Sequence, residues 1–534
     1  IITLLGVVCI LYIYCVNLEN LLYISVGAAL LTACSADYLD TLPQASTDTG
    51  TVFETTENAR LAVNGLCLMM TQQYLGQQGF NGEGTIKTLY GNYTGNDFQK
   101  CNLTGWAPII NPTTYLERNS VLYCYYPWFY YYKLIGNANR IVVNIDHAAG
   151  TEAERLFIRA QALTVRAYAY LMLSQLYCHR WTDSRQGASR GLPLRLDTSD
   201  GDLPASTLAQ VYTQIYTDLD AAVDAYTRSG LSRDRGDNYS PDLAVAYATY
   251  ARAALTREDW ATAAKYAALA RKDYPLMSNA DYVDGGFSTP NSEWIWSCYS
   301  APDQTLYYFS FFAYQGSNSS ASICRTYPCA ISKELYDCIP ATDVRRQMFL
   351  APVEGDAYNT TNGRVTAGPL LERARRDYAD KLYGTSLIYA YMQFKFLCTG
   401  QPGIGQLNHF RSSEMYLIEA EADCHLDGKD TEAQALLKAL VKDSGRDPQY
   451  TCTKTGADLL AEVKLYRRIE LWGEGFDWFD LKRWREPLVR HAHPQGSFHP
   501  QFAVSVQPEE ANQWTWVYPA KEVDYNGALD SYIE

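Results

Sequence analysis

Residue types with the spacing of known chemistry recur in this 534-residue chain. Gly187-Ala188-Ser189-Arg190-Gly191 has the spacing of a nucleophile elbow, where a strained strand-to-helix turn presents a serine hydroxyl to its base. The elements that would strain it are missing. Polar Thr182-Asp183-Ser184-Arg185-Gln186 stands where a buried strand should be, and Leu192-Pro193-Leu194 where a helix should start. His491, His493 and His499 are close enough in sequence to suggest a metal. No cysteine or acidic ligand stands at matching spacing, and a Pro- and Gly-containing loop favours solvent-exposed imidazoles. Paired carboxylates for glycoside hydrolysis stay open, because 59 acidic residues always offer candidates and their separation in space is not in the sequence. The chain has no HExxH, phosphate-binding loop or dinucleotide fingerprint. The expectation is a protein without catalytic residues, metal or cofactor.

Cys34 carries the other candidate chemistry. Leu31-Thr32-Ala33-Cys34-Ser35 resembles a bacterial lipobox, in which the thiol is diacylated and becomes residue one of the mature chain. Leu21–Ala33 has the length of a signal-peptide apolar region and is too short to span a bilayer. From the absence of Lys or Arg before it, and of any Met before Met69, residues 1–17 are expected to be an over-extended start, with translation expected to begin near Leu18. The alternative is one membrane span joining 1–16 to 21–33, which would place Asn17-Leu18-Glu19-Asn20 in hydrocarbon at considerable cost. Residues 1–33 are therefore expected to be a signal peptide and 34–50 a lipidated tether.

The elements behind these residues are helical. Leu156, Ala160, Leu163, Ala167, Tyr170 and Ser174 mark one face of a helix from Glu152 to Tyr177, paired with Thr207–Tyr226. Leu243–Leu255 pairs with Asp259–Lys272, where Ala246, Ala253, Ala263, Ala264 and Ala268 permit close approach. Ser413–Leu426 pairs with Thr431–Val441 across the stop Asp427-Gly428. Such pairs suit either a degenerate tetratricopeptide-like array or an irregular bundle. Residues 76–114, 279–332 and 355–405 lack helical periodicity and are expected to be long loops holding the ligand site, with one strand at Ile388–Phe396.

Composition limits the partners. A formal charge of −14 argues against nucleic acid, whose affinity rests on Lys and Arg at phosphates. The 43 Tyr against 17 Phe suit wet surfaces on which sugar faces stack, or simply a Tyr-rich protein. Eleven cysteines follow Cys34, scattered rather than framework-like; Cys324 and Cys329 are near enough to pair, and most are expected to be buried thiols.

The run Leu465-Tyr-Arg-Arg-Ile-Glu-Leu-Trp-Gly-Glu-Gly-Phe-Asp-Trp-Phe-Asp-Leu-Lys-Arg-Trp484 resembles the signature of the SusD-like (RagB) family of Bacteroidota. Other segments agree in order: Trp128 to Tyr131 with Ile135, Ala138 and Asn139, then Ile158-Arg159-Ala160, Arg166-Ala167-Tyr168, Gly191–Leu194, Asp343–Arg345, Lys395-Phe396 and Arg411–Glu421. Arg467, Arg468 and Glu470 can pair with Glu474, Asp477, Asp480 and Arg483, and Trp472, Phe476, Trp478, Phe479 and Trp484 favour packing over sugar stacking.

The resemblance implies a mainly α fold, a tetratricopeptide-like helical-repeat scaffold with long irregular loop insertions and minor β. It divides the body into 51–275, an N-terminal helical region with an early binding loop; 276–405, a loop-rich insertion; and 406–534, a C-terminal helical region. It also implies a surface-exposed outer-membrane lipoprotein that binds glycan and serves a TonB-dependent SusC-like transporter. Oligopeptide binding is the alternative within the family, and a lipid-anchored glycoside hydrolase a further one. The family's binding loops vary, so its ligand residues do not transfer as a motif. The positions that fall in the early loop are Tyr90, Tyr93, Asn96, Asp97 and Trp106; those in the mid-chain loop are Trp296, Tyr307, Tyr308 and Tyr314. Their rings would stack on sugar while Asn96 and Asp97 bind hydroxyls. If Cys34 is the anchor, cells fed labelled palmitate will incorporate it into this protein, and Cys34→Ala will abolish both label and membrane fractionation. A Cys34→Ala protein that still sediments with membranes would exclude the tether.

Overall fold

Strong helix-start signals become helix ends where side chains stand in for missing backbone partners. The computed structural model describes residues 49–76, 79–102, 107–111, 114–234, 236–298 and 310–529. Cys34 and the expected signal and tether up to residue 48 lie outside them. The chain divides at Glu54 into two units; the described residues of the first include a short helix at Thr49–Val52, and Thr55–Glu534 form the second.

Ten helices of that second unit organise it: α1 (Thr56–Met69), α2 (Leu122–Asn144), α3 (Glu152–Tyr177), α4 (Leu208–Ser229), α5 (Leu243–Thr256), α6 (Trp260–Arg271), α7 (Ser412–Cys424), α8 (Asp430–Lys438), α9 (Gly456–Glu470) and α10 (Asp477–Trp484). The three expected pairs form as α3/α4, α5/α6 and α7/α8. Thr151 with Glu154, and Thr207 with Gln210, build reciprocal capping boxes at α3 and α4. α4 stops at Gly230, whose φ of 62° ends the helix in the left-handed region. Ala246, Ala253, Ala263, Ala267 and Ala270 are buried along α5 and α6, where small side chains let the helices approach. α6 packs on α7, so the long insertion between them leaves and rejoins the stack at neighbouring helices. The fold is mainly α with a tetratricopeptide-like arrangement.

α2 has no capping side chain to announce it: Val121 stands at its N-cap, and a proline follows within the first two turns. Pro127 lies inside this helix and cannot donate to the carbonyl of Tyr123. The Tyr90 hydroxyl donates to that carbonyl instead, at 2.7 Å.

The β content is small. Strands β1 (Phe98–Lys100), β2 (Trp294–Ser297), β3 (Cys329–Ile331), β4 (Phe349–Leu350), β5 (Arg364–Val365), β6 (Ile388–Tyr389), β7 (Met392–Gln393), β8 (Asn408–Arg411), β9 (Leu488–Arg490) and β10 (Val504–Val506) form a four-stranded sheet, β1-β3-β7-β4, and three two-stranded ribbons. The single strand expected at Ile388–Phe396 is two. Tyr391 takes φ 64°, turning the chain so that β6 pairs with β5 while β7 pairs with β3 and β4.

A buried charge network joins the insertion to the C-terminal helices. Arg411, 1% exposed, donates to Glu293 at 2.6 Å, to Glu470 at 2.8 Å and to both oxygens of Glu474 at 2.7 and 2.8 Å. Arg345 bridges Glu470 to Asp343, and Lys395 donates to Glu474 at 2.7 Å. Burial alone would raise the Glu470 carboxyl; Arg411 and Arg345 overcome it and hold the group well below the usual carboxylate range. Removing one member strands the others without solvent. Arg411→Met is expected to lower stability in chemical denaturation by about 3–5 kcal/mol. Arg228→Ala, which breaks exposed contacts to Glu152 and Asp224, should cost no more than about 1 kcal/mol.

Candidate functional site

The early stretch expected to be a ligand loop runs instead through the middle of the protein. Residues 82–92 are helical, β1 follows, and almost every side chain from Phe80 to Cys101 is buried. Glu83 accepts hydrogen bonds from the hydroxyls of Tyr168 at 2.6 Å, Tyr131 at 3.0 Å and Tyr130 at 3.2 Å. Asn92 donates to the carbonyl of Gly473 and accepts from the N–H of Gly475, both at 2.7 Å. The two chains touch so closely that a Cβ on Gly91 would lie 2.1 Å from the Gly475 carbonyl oxygen.

This placement corrects three of the expected ligand residues and ties a fourth to β9. Tyr90 is 1% exposed and serves α2 through its hydroxyl. Tyr93 is 1% exposed, stacked on Phe98 with Lys100 over its ring. Asp97 is buried and held by Arg468 at 2.7 and 2.8 Å, with its carbonyl taken by the Trp472 indole. Asn96 is half-buried and clips β9 by accepting from Val489 N–H at 2.7 Å. Two of the mid-chain positions are corrected likewise. Trp296 is fully buried against Tyr168, His409 and Phe410, and Tyr314 is 3% exposed. None of these five buried side chains presents a face to solvent. Trp106, Tyr307 and Tyr308 lie outside the described residues.

The structure does bring the two loop regions together at their roots. Lys100 at the end of β1 donates its ammonium to the carbonyls of Tyr314 at 2.8 Å and Tyr327 at 2.7 Å. Cys101 N–H donates to Pro328, and β1 pairs with β3. The Cys298 thiol lies 3.7 Å from the carbonyl of Met70, just before the turn into residues 79–102. So the segments that flank 103–106 and 299–309 are fastened to one buried run. Beside them stands a feature that the loop reading missed. Tyr115 and Tyr123 are part-buried and stacked on one another, with centroids 5.2 Å apart and planes at 29°, and Arg118 covers Tyr115. Tyr123 belongs to the aromatic run that opens α2, and Tyr115 stands alone before it, so no sequence signal joins the two.

Groups that could react are closed off or engaged elsewhere. The Cys298 thiol and His409 Nε2 approach to 2.6 Å, but burial pushes the thiol up and the imidazole down, so both are neutral in a packed interior. Ser189 is buried in a turn whose glycines answer to packing: a Cβ on Gly187 would meet Ala209 and Trp181, and one on Gly191 would meet Thr207. His491 faces Glu334 at 2.9 Å, and His499 accepts from Gln501 N–H. Cys324 and Cys329 are free buried thiols that bond backbone carbonyls.

Two models of one family match successive parts of the chain. The SusD family model matches residues 278–533, and a model described as starch-binding and associating with the outer membrane matches residues 37–255. The chain belongs to the SusD/RagB family. No curated protein matches it. Among solved structures it is similar to a SusD-like carbohydrate binding protein from Bacteroides vulgatus, at TM-score 0.73 and 23% identity over 89% of this chain and 98% of that one. A SusD superfamily protein from the same organism matches at TM-score 0.71 and 22% identity, covering 90% and 98%. One from Bacteroides thetaiotaomicron matches at 0.68 and 20%, covering 90% and 100%.

The SusD signature run is structural in this chain. Arg467 pairs locally with Asp480 at 2.7 Å, as its spacing suggested, whereas Arg468 reaches Asp97 and Glu470 and Glu474 reach Arg411. Trp472 packs on Phe98 and Phe349, and Trp478 on Phe479 and Trp514. Asp477 accepts from Asp97 N–H at 2.6 Å with its carboxyl turned inward, and burial together with the Asp97 carboxylate pushes its pKa up to about 8. A carboxyl raised on folding keeps its proton in the native state after the unfolded chain has lost it. Its stabilisation is therefore complete below about pH 4 and is lost as pH rises to about 8. Asp477→Asn, which cannot ionise, should flatten the fall of Tm across that window. Parallel profiles for the two proteins would show that Asp477 ionises normally.

Proposed function

We propose that this SusD-family chain is a surface-exposed outer-membrane lipoprotein that binds glycan without transforming it and hands it to a TonB-dependent SusC-like transporter. The observation that carries this reading is the convergence of two loop segments, remote in sequence, on one clamped run beside the stacked rings of Tyr115 and Tyr123. Rings held on a rigid base suit the flat C–H faces of pyranoses, and neutral saccharides need no net charge from the site. Trp106, Tyr307 and Tyr308 are proposed as the loop aromatics that complete it. The described carrier of the Ser motif, Ser189, and the Cys298–His409 pair are both buried, which supports binding without turnover. Among the described residues no helix is long and apolar enough to cross a membrane, so the proposed attachment runs through acylated Cys34.

The test is a glycan array and affinity electrophoresis on protein lacking residues 1–34. Retention by at least one polysaccharide is expected, with the sugar recovered unhydrolysed. Trp106→Ala, Tyr115→Ala and Tyr308→Ala should each weaken it about 2- to 10-fold, the roughly 0.5–1.5 kcal/mol of an aromatic stacking contact. Binding to peptides with no retention by any polysaccharide would replace glycan by oligopeptide as the cargo.

A further inference from the structure

A second aromatic cleft lies on the helical scaffold, lined by none of the residues proposed for the loop site. It holds about 290 Å³ and forms where helix ends converge: the turn at Trp181, the α5–α6 corner with Glu258 and Trp260, the end of α7 at His425, Lys464 of α9, and Trp484 of α10. Three of its walls are tryptophans. Trp181, Trp260 and Trp484 are only part-buried, whereas every other described tryptophan is buried. The part-buried indoles have thus been gathered into one place, which chance exposure would not do.

Their positions are fixed. Trp260 stacks on His425 with centroids 3.9 Å apart and planes at 12°. The Trp484 indole N–H donates to Glu421 at 2.8 Å. Trp181 meets Tyr212 edge-on at 5.6 Å. The charges around them are satisfied within the protein. Lys464 pairs with Glu486 at 2.8 Å, Arg483 holds Glu421, and Glu258 accepts from the Thr182 hydroxyl across the cleft. Cations also cover indole faces already, with Lys464 and Arg483 over Trp484 and Arg257 over Trp181. A cationic ligand would meet those like charges, and an anionic one would have to break existing pairs. What fits is an uncharged molecule with a flat apolar face and hydroxyls at its edge.

We propose that this cleft is a second saccharide site, for a neutral mono- or disaccharide, independent of the loop site. Its volume is at the lower end of the roughly 300–1,000 Å³ common for small-molecule sites, too small for a polysaccharide chain to pass through. On a surface glycan binder, such a site would hold a chain end or side branch.

The experiment is ¹⁹F NMR of the protein lacking residues 1–34, labelled with 5-fluorotryptophan and titrated with maltose, cellobiose, xylobiose, mannobiose and, separately, choline. Single Trp→Phe substitutions assign the three cleft resonances. At least one disaccharide should shift them, with its midpoint weakened at least tenfold in Trp260→Ala. His425→Ala, at an exposed residue whose loss leaves the core intact, should weaken it in the same direction. Trp106→Ala and Tyr308→Ala should leave the shifts and midpoint unchanged, which separates failure here from failure of the loop reading. Silence with every sugar, movement with choline alone, or an unchanged midpoint in folded Trp260→Ala and His425→Ala would overturn the proposal.

Discussion

Arg411 must find three carboxylates at once, and most of the architecture follows from that demand. Its guanidinium is out of water, so each donor needs an acceptor, and Glu293, Glu470 and Glu474 come from a strand edge, a helix end and the turn that follows it. Glu293 in turn accepts from the backbone and hydroxyl of Ser413, which fixes the start of α7. Lys395 donates to the carbonyls of Glu470 and Trp472 as well as to Glu474, so the turn Gly473-Glu474-Gly475 is held from two sides. That turn is what Lys87 and Asn92 grip. Gly475 sits at φ 92°, with Lys87 where its Cβ would be. The insertion, the C-terminal helices and the early segment are therefore one interlocked unit, with loop roots that have little freedom to move.

The tyrosine excess takes on a different meaning beside this interior. Composition allowed wet, sugar-facing surfaces, but many of the hydroxyls are spent inside. Three Tyr hydroxyls solvate the Glu83 carboxyl, Tyr90 answers the carbonyl that Pro127 leaves open, and Tyr126 and Tyr170 cap the carbonyls of Gly82 and Arg195. Phe could fill the same volumes but would leave those acceptors unpaired in a dry interior. A core this rich in polar groups needs rings that carry a donor at one end. Composition alone cannot separate that role from a binding surface.

What could be read from the sequence follows the range of the interaction. Helix pairs α3/α4, α5/α6 and α7/α8 rest on local periodicity, joined in the first two by caps within a few residues, and their limits were foreseen closely. The Arg467–Asp480 pair, on adjoining helices, was likewise foreseen. Arg468 with Asp97 and Arg411 with Glu474 join distant segments, and nothing near either partner announces the other. α2 was missed for a different reason: no side chain caps its start, and Pro127 within it reads as a helix breaker. The 76–114 stretch misled because Gly, Asn and Thr are ordinary loop formers, while here Gly91 and Asn92 serve close chain contact and backbone satisfaction deep inside.

This division also bears on what family membership can carry. The signature residues hold the scaffold, and their side chains are committed to Arg411, Asp97, Phe98 and Trp514. A residue already paired in the interior is not free to choose a ligand, so the features that identify the fold say little about cargo. Ligand choice must lie with side chains that packing leaves partly at the surface, among them the stacked Tyr115 and Tyr123 and the three part-buried tryptophans of the scaffold cleft. Rigid roots give such rings fixed positions before binding, so ordering them costs little when a flat sugar face arrives. Different loops on the same interlocked base would then change the cargo without disturbing Arg411 or its partners.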